Sequence, residues 1–357
     1  MLKKKMSLLM ALTMALSLVV CSGSALAAEN TDTAAEEGVT LSKDPSEYKL
    51  FVYWPGPDVF FDTVVMKGIE EIEEEWGVTV DYAVGTEWTQ DVENQICEAK
   101  AAEGYDLFCV FAADSTGANA LYKELKERGC HVVNYSGACV DPQEAECTIM
   151  NDNYTQVYEA GLEFCERLGG EGKVIQVLEN LGDTNTILRQ EAFEAAVAEY
   201  PGIEIVQTIG NLTTIDAATE GVMNALLSNQ DVNGIFSGAG TASAGMANAL
   251  ADYYGSKADA DHLIAAGAAD NEIVMNAIKD GVLDFGVKQD GGGFVHLGLE
   301  ALLYMAEGYT LKDPGCMIYF PYSTLEPDTV DSWNDDAKEL RMEMSGQFLN
   351  EYFNAPE

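Results

Sequence analysis

The residues best suited to chemistry in this chain lie within Tyr48–Val80, YKLFVYWPGPDVFFDTVVMKGIEEIEEEWGVTV. Trp54 precedes a Pro55-Gly56-Pro57 break, and Asp58 stands just before the pair Phe60-Phe61. An aromatic ring offers a ligand a flat apolar face, and the start of a helix beside it offers unpaired backbone N–H donors. Asp58 is placed to cap that helix by accepting from its first turn. These residue types suit non-covalent capture of a small molecule rather than bond making. Consecutive helical residues point about 100° apart, so one phenylalanine is expected to face the core and the other a ligand.

The elements that must hold these residues are legible in the apolar pattern. Tyr48–Trp54 reads as a buried strand, and Phe60, Val64, Met66, Ile69, Ile72 and Trp76 form an apolar helical stripe that Gly77 ends. Strands at Val80–Val84, Tyr105–Ala112 and Cys130–Tyr135 alternate with helices at Thr86–Glu103 and Thr116–Arg128, the second capped by Asp114-Ser115. A short strand, Cys147–Met150, leads to Asn151-Asp152-Asn153 and a helix at Tyr154–Leu168, and the alternation restarts. Strands at Lys173–Leu178, Ile203–Ile209, Gly234–Ser237, His262–Gly267 and Val282–Val287 are separated by helical stretches. Such alternation implies parallel sheets covered on both faces. The fold class is therefore α/β, two doubly wound parallel-sheet lobes with a cleft between them, and ligands bind at the carboxyl ends of such strands. Gly238-Ala239-Gly240-Thr241 does not complete a dinucleotide fingerprint and reads as a backbone-donor loop facing a ligand; Gly291-Gly292-Gly293 reads as a turn that needs φ > 0.

Composition narrows the function classes. The chain has 357 residues, 47% of them hydrophobic, enough for two cores. Its net charge of −41 excludes nucleic acid and anionic lipid as partners. No G-x-S-x-G or H-E-x-x-H occurs, Ser243 has no base partner in its sequence context, and no catalytic residue is assigned. His131, His262 and His296 are isolated, so no metal site and no cofactor is expected. Met1–Ala27 reads as a secretory leader, with Lys3-Lys4-Lys5, the apolar stretch Ser7–Val20, and a small-x-small site at Ala25-Leu26-Ala27. Lipid attachment at Cys21 is the alternative, which Val20 fits poorly. Residues 28–46 read as a flexible acidic spacer, and no later stretch is long and apolar enough to cross a membrane. Removing the leader leaves seven cysteines, an odd number; Cys109 and Cys165 read as buried small hydrophobes, while Cys130, Cys139 and Cys147 flank one loop where a bridge or free thiols both fit.

An ordered set of short motifs resembles the type I periplasmic binding proteins of the ribose/xylose class, the solute receptors of ABC importers. Asp58-Val59-Phe60-Phe61 resembles the family's Asn-Pro-Phe-Phe, Lys67-Gly68-Ile69-Glu70 its Gly-Ala-Glu run, and Asn151-Asp152-Asn153 the Asp-Asn of its first hinge. Gln95-Ile96, Gly161, Gly172-Lys173-Val174, Arg189…Phe193, Tyr200-Pro201-Gly202-Ile203, Asp231–Phe236 and Ile278–Gly281 continue the likeness from about Tyr48 to Asp331.

The resemblance implies lobes that exchange segments: lobe one at 47–151 plus 290–316, lobe two at 152–289 plus 317–331, and a hinge of three crossovers near Asn151-Asp152, Lys288–Asp290 and Cys316–Ile318. The tail, 332–357, departs from the family and reads as an added helix packing on a lobe. A sugar receptor needs aromatic faces and hydrogen-bonding brackets. Here the implied binding residues are Trp54, Asp58, Phe60, Phe61, Tyr135, Ser136, Asn185, Asp270 and Gln289, with Trp88 and Asp183 within reach and Arg189 an ion-pair partner outside the set. The family's Asp-Arg after the fourth strand is Ser136-Gly137, a ligand-facing Arg is Ile187, and an Asn-Asp is Ala239-Gly240, which implies a less polar ligand than ribose. The expected function is an extracytoplasmic, monomeric receptor that closes on a small-molecule ligand and delivers it to an ABC permease. A receptor feeding a membrane sensor, or a Rossmann-type enzyme, is the alternative.

Overall fold

The computed structural model describes residues 39–57, 60–181, 183–255, 259 and 263–356. The expected leader with Cys21, the spacer as far as residue 38, Asp58 and His262 lie outside the described residues. The last part of the expected spacer is fastened down: the Ser42 amide donates to a Glu307 carboxylate oxygen at 3.1 Å.

Lobe one begins with β1 (Leu50–Trp54), α1 (Met66–Trp76), β2 (Val80–Val84), α2 (Gln90–Ala102), β3 (Leu107–Val110), α3 (Gly117–Glu127), β4 (His131–Tyr135) and β5 (Cys147–Met150). The chain then crosses and builds lobe two from α4 (Asn153–Arg167), β6 (Glu171–Val177), α5 (Thr184–Ala198), β7 (Gly202–Ile209), α6 (Ile215–Ser228), β8 (Gly234–Ser237), α7 (Gly240–Tyr254), β9 (Ile264–Ala268), α8 (Glu272–Lys279) and β10 (Phe285–Gln289). It returns through Asp290 to α9 (Gly291–Ala306), β11 (Thr310–Leu311) and β12 (Cys316–Tyr319), and crosses again to β13 (Tyr322–Leu325). The tail forms α10 (Trp333–Tyr352) and β14 (Phe353–Asn354).

The first sheet runs β12-β5-β4-β3-β1-β2 and is parallel throughout; the second runs β13-β10-β9-β8-β6-β7 and is parallel except for β13, antiparallel on β10. The two-lobed α/β class is as the alternation predicts. The third crossing is not. Cys316–Tyr319 pairs with Cys147–Met150 in the first sheet, so the chain leaves lobe one at Phe320-Pro321 rather than at Cys316–Ile318. β12 is an edge strand with mixed burial, and its composition does not say which lobe it joins.

Helix ends follow the capping residues. Thr89, Asp152, Asp183, Thr214 and Asn271 each accept from the backbone N–H three positions on, and Asp114 accepts from Thr116 and Gly117. Phe61–Val65 forms a wider π-helical turn that runs directly into α1. The glycines at 291–293 are not a positive-φ turn. They are the first turn of α9, and their role is close approach. A Cβ on Gly291 would meet the Phe60 ring at 2.5 Å, one on Gly293 the Phe320 ring at 2.5 Å, and one on Gly68 the Gly292 carbonyl at 2.0 Å. α1 and α9 therefore touch backbone to backbone.

Each lobe has its own core. In lobe one Phe51, Phe108, Tyr122 and Leu125 pack between α2, α3 and the sheet; in lobe two Val222, Ile235, Met246 and Ile278 do so beneath α6, α7 and α8. Each such side chain contributes roughly 1.5–3 kcal/mol on burial. All seven cysteines among the described residues are free thiols, including Cys130, Cys139 and Cys147. Among the described residues no helix is long and apolar enough to cross a membrane.

Candidate functional site

The carboxyl ends of β1, β3 and β4 carry an aromatic cluster centred on Trp54. Its ring lies 4.8 Å from Phe111, 5.8 Å from Phe61, 5.9 Å from Phe60 and 6.1 Å from Tyr135, centroid to centroid. Burial separates the members. Trp54 is 2% exposed, Phe61 1% and Tyr135 0%, and the Tyr135 hydroxyl donates to the Tyr53 carbonyl at 3.2 Å. These three are the floor of the site and offer no free face: Trp54 and Tyr135 stand at the ends of β1 and β4, and Phe61 packs on Trp54 from the helical turn above. Phe60, one position earlier on the helix, is partly exposed and leans on Gly291, so the Phe pair divides into one core residue and one half-buried residue, and neither lines the cavity between the lobes. Trp88, from the β2–α2 loop, stands 43% exposed, edge-on to Phe111 at 5.3 Å, with its Nε1 donating to the Ala113 carbonyl at 3.0 Å.

Between the lobes lies a cavity of about 540 Å³. Lobe one lines it with Trp88, Phe111, the loop as far as Ser115, and Met317 and Tyr319 of β12; the hinge supplies Met150–Asn153; lobe two supplies Asn180 and the Asp183–Asn185 start of α5. No Lys, Arg or His among the described residues lines it. Its carboxylates are largely committed: Asp114, Asp152 and Asp183 hold the amides at the starts of α3, α4 and α5. What remains is amide and hydroxyl chemistry beside aromatic faces. An Asn side chain both donates and accepts, which matches an alcohol hydroxyl.

A polar network behind this cavity joins residues far apart in sequence. Asn153 Nδ2 donates to Asn185 Oδ1 at 2.9 Å. Asn153 Oδ1 accepts from Arg189 Nε and Nη2 at 3.2 and 3.0 Å and from Gln289 Nε2 at 3.3 Å. Gln289 also donates to Gln156 Oε1 at 3.2 Å, and its own amide to Asp270 Oδ1 at 3.4 Å. The structure thus links Asn185, Asp270 and Gln289 through one network, but Gln289 and Asp270 are buried behind the cavity wall and do not line it. Arg189 is held by an amide rather than by a carboxylate. Asp270 borders a second cavity, of about 530 Å³, on the other side of the hinge, with Lys288. Burial raises the Asp270 carboxyl and lowers the Lys288 ammonium; each shift is toward the neutral form, so desolvation outweighs their mutual attraction.

Two loops differ from expectation. Ser136 takes φ of 62°, and its amide donates to the Ile149 carbonyl, so it turns the chain at the end of β4 while Gly137 and Ala138 line the cavity. The backbone donors of Thr241 and Ala242 are taken by Glu179 Oε1 at 2.6 and 3.1 Å, so the Gly238–Thr241 loop does not present them to a ligand. Phe111 and Tyr319 are among the cavity residues that sequence reasoning missed, with Asn153, Asn180 and Met317. Phe111 sits one position past the end of β3, which is itself a signal for the site edge; Tyr319 shows none, because it ends a four-residue edge strand whose pattern does not name its lobe. One buried acid supports the wall: Glu93 Oε2 accepts from the Ala113 amide at 2.7 Å, and burial pushes its carboxyl up to about 8.

Known proteins agree with this architecture. The family described as "Periplasmic binding protein domain" matches residues 50–310. A D-apiose import binding protein of Actinobacillus succinogenes is 27% identical over 103 residues, 29% of this chain and 33% of that protein, so the alignment spans about a third of the relative's length. An ABC transporter solute-binding protein of Burkholderia graminis, solved with D-arabinose, superposes with a TM-score of 0.74 at 20% identity, over 81% of this chain and 99% of that one. One from Bacillus halodurans with bound myo-inositol gives 0.72 at 18% identity, over 82% and 99%. One from Actinobacillus succinogenes with bound D-allose gives 0.73 at 17%, over 80% and 100%. With the family match covering most of its length and its fold shared with these receptors, the chain belongs to the periplasmic binding protein family.

Proposed function

We propose that this protein is an extracytoplasmic solute receptor that captures an uncharged sugar or sugar-like molecule between its lobes and presents it to an ABC permease. Family membership supports a binding role rather than catalysis, and receptors of ABC importers work outside the cytoplasm. The observation that carries the ligand class is the cavity wall: aromatic faces at Trp88, Phe111 and Tyr319, amides at Asn151, Asn153 and Asn185, and no basic side chain among the described residues. A ring with hydroxyls on its edge and C–H groups on its face fits that lining, whereas a phosphate or carboxylate finds no counter-charge there. The solved relatives hold D-arabinose, myo-inositol and D-allose, all uncharged and polyhydroxylated. We assign ligand contact to Trp88, Phe111, Asn153 and Asn185, which line the cavity, with Trp54, Phe61 and Tyr135 as support beneath them. The protein acts as a monomer in this reading, and the pocket's contacts from both lobes give the ligand its preference for the closed state.

Thermal denaturation with D-apiose, D-arabinose, D-allose, myo-inositol and a sugar phosphate tests this. A ligand at a hundredfold excess over its Kd stabilises the fold by about 2.7 kcal/mol, a shift of several degrees. At least one neutral polyol is expected to give it and the sugar phosphate none. A shift with the phosphate alone refutes the uncharged-ligand reading.

A further inference from the structure

The tail helix α10 is anchored in both lobes. At its start, Trp333 and Ala337 are buried in the lobe-two core with Leu325 and Val330, and the Lys288 ammonium lies 4.5 Å from the Trp333 ring centroid. At its end, Phe348 is buried against Tyr304 of α9, 6.2 Å between centroids; Phe353 meets the same ring at 5.3 Å, and β14 pairs antiparallel with β11 of lobe one. Ser345 donates to Glu300 of α9 at 2.7 Å. The expected tail helix on one lobe is therefore a helix across two.

Its middle grips the hinge. Arg341 is buried, and its Nε and Nη2 make a two-pronged contact with Glu71 of α1, both at 2.8 Å. Its Nη1 donates to Asp290 Oδ2 at 2.7 Å, and Asp290 is the residue by which the chain crosses from β10 to α9. Forked guanidinium–carboxylate contacts are directional as well as strong. A helix of 20 residues spans about 30 Å as a stiff rod. With one end in each lobe and its centre bound to the second crossing, it resists rotation of one lobe on the other.

We propose that α10 is a strap that sets the resting angle between the lobes, with Arg341 as its positioning residue at the hinge. Arg341 touches no cavity between the lobes that we assign to the ligand; it acts through Asp290 and Glu71. The strap limits how far the empty protein opens, and hence how much of the closing motion the ligand must drive. The claim concerns the empty chain and stands whether or not the cleft takes a sugar.

Paired spin labels on genetically encoded non-natural residues, at Lys123 of α3 in lobe one and Glu220 of α6 in lobe two, report the interlobe distance in the ligand-free full chain. Both positions are exposed. Arg341→Met is expected to broaden the distance distribution and shift it to longer values. Arg341→Lys, which keeps the charge without the fork, is expected to fall between. Phe348→Ala, which loosens only the lobe-one anchor and strands no buried charge, is expected to shift it in the same direction. If Arg341→Met fails to fold because Asp290 and Glu71 are left uncompensated, Arg341→Met/Asp290→Asn/Glu71→Gln removes those charges and is measured in its place. Wild-type distributions in a folded Arg341 variant and in Phe348→Ala overturn the strap.

Discussion

Replacing Glu93 with Gln separates a buried acid from its pH dependence. Glu93 is fully buried on α2; one carboxylate oxygen accepts from the Ala113 amide and the other has no hydrogen-bond partner. Burial raises its carboxyl from an ordinary value of 4.5 to about 8. The folded state therefore holds a proton that the unfolded chain releases. For an acid raised in this way, the stabilising contribution is complete below the unfolded value and is lost as pH rises through the folded one. The slope is about 1.4 kcal/mol per pH unit between those limits. Between pH 6 and pH 9 the wild type should lose roughly 3 kcal/mol that Glu93→Gln does not lose. Gln has the shape of the protonated acid and keeps an acceptor for Ala113, so the two proteins should be of similar stability near pH 4, and by pH 6 the variant should already be the more stable by about 2 kcal/mol. The nearby Tyr53 and Tyr122 hydroxyls and the Cys97 thiol are all pushed up by burial, so they do not titrate within this window. Urea unfolding of both proteins at the two pH values is the assay. Parallel pH dependence in wild type and variant refutes the buried neutral acid.

Other outcomes follow from the same geometry. Trp88→Ala should weaken ligand binding by about 1–3 kcal/mol in titration calorimetry while moving the unfolding midpoint little, since the ring is nearly half exposed. Gly68→Ala should destabilise lobe one by several kcal/mol in chemical denaturation, because the new methyl would lie 2.0 Å from the Gly292 carbonyl, where backbone cannot give way. Asn153→Ala should cost about 1–3 kcal/mol of stability and also weaken ligand binding, because Arg189, Asn185 and Gln289 lose their common partner together.

Much of the fold was legible because parallel strands buried on both faces read as unbroken apolar runs, such as Leu107–Val110 and Gly234–Ser237. The exchange at Phe320-Pro321 was not, since a four-residue edge strand carries too little pattern to name its neighbour. Gly291–Gly293 shows a related limit: the residue type signals that a side chain is forbidden, but whether φ or a neighbouring ring forbids it depends on α1 and Phe60. The site was half legible. Aromatic residues at the carboxyl ends of strands do mark the cleft, yet depth decides their role, and depth is set by packing. Trp54 and Tyr135 lie in the sheet's own floor, whereas Trp88 stands on a loop above it. The hub role of Asn153 was invisible, because its partners come from α5 and from the end of β10.

Capture between the lobes is tested most directly by hydrogen exchange on the full chain, with and without the polyol that gives the largest thermal shift. Protection is predicted in both lobes at once, over residues 111–115 and 183–188, together with the hinge at 150–153. Protection confined to one lobe, or found instead around residues 64–71 and 330–341, would contradict a ligand held in the cavity between Trp88 and Asn185.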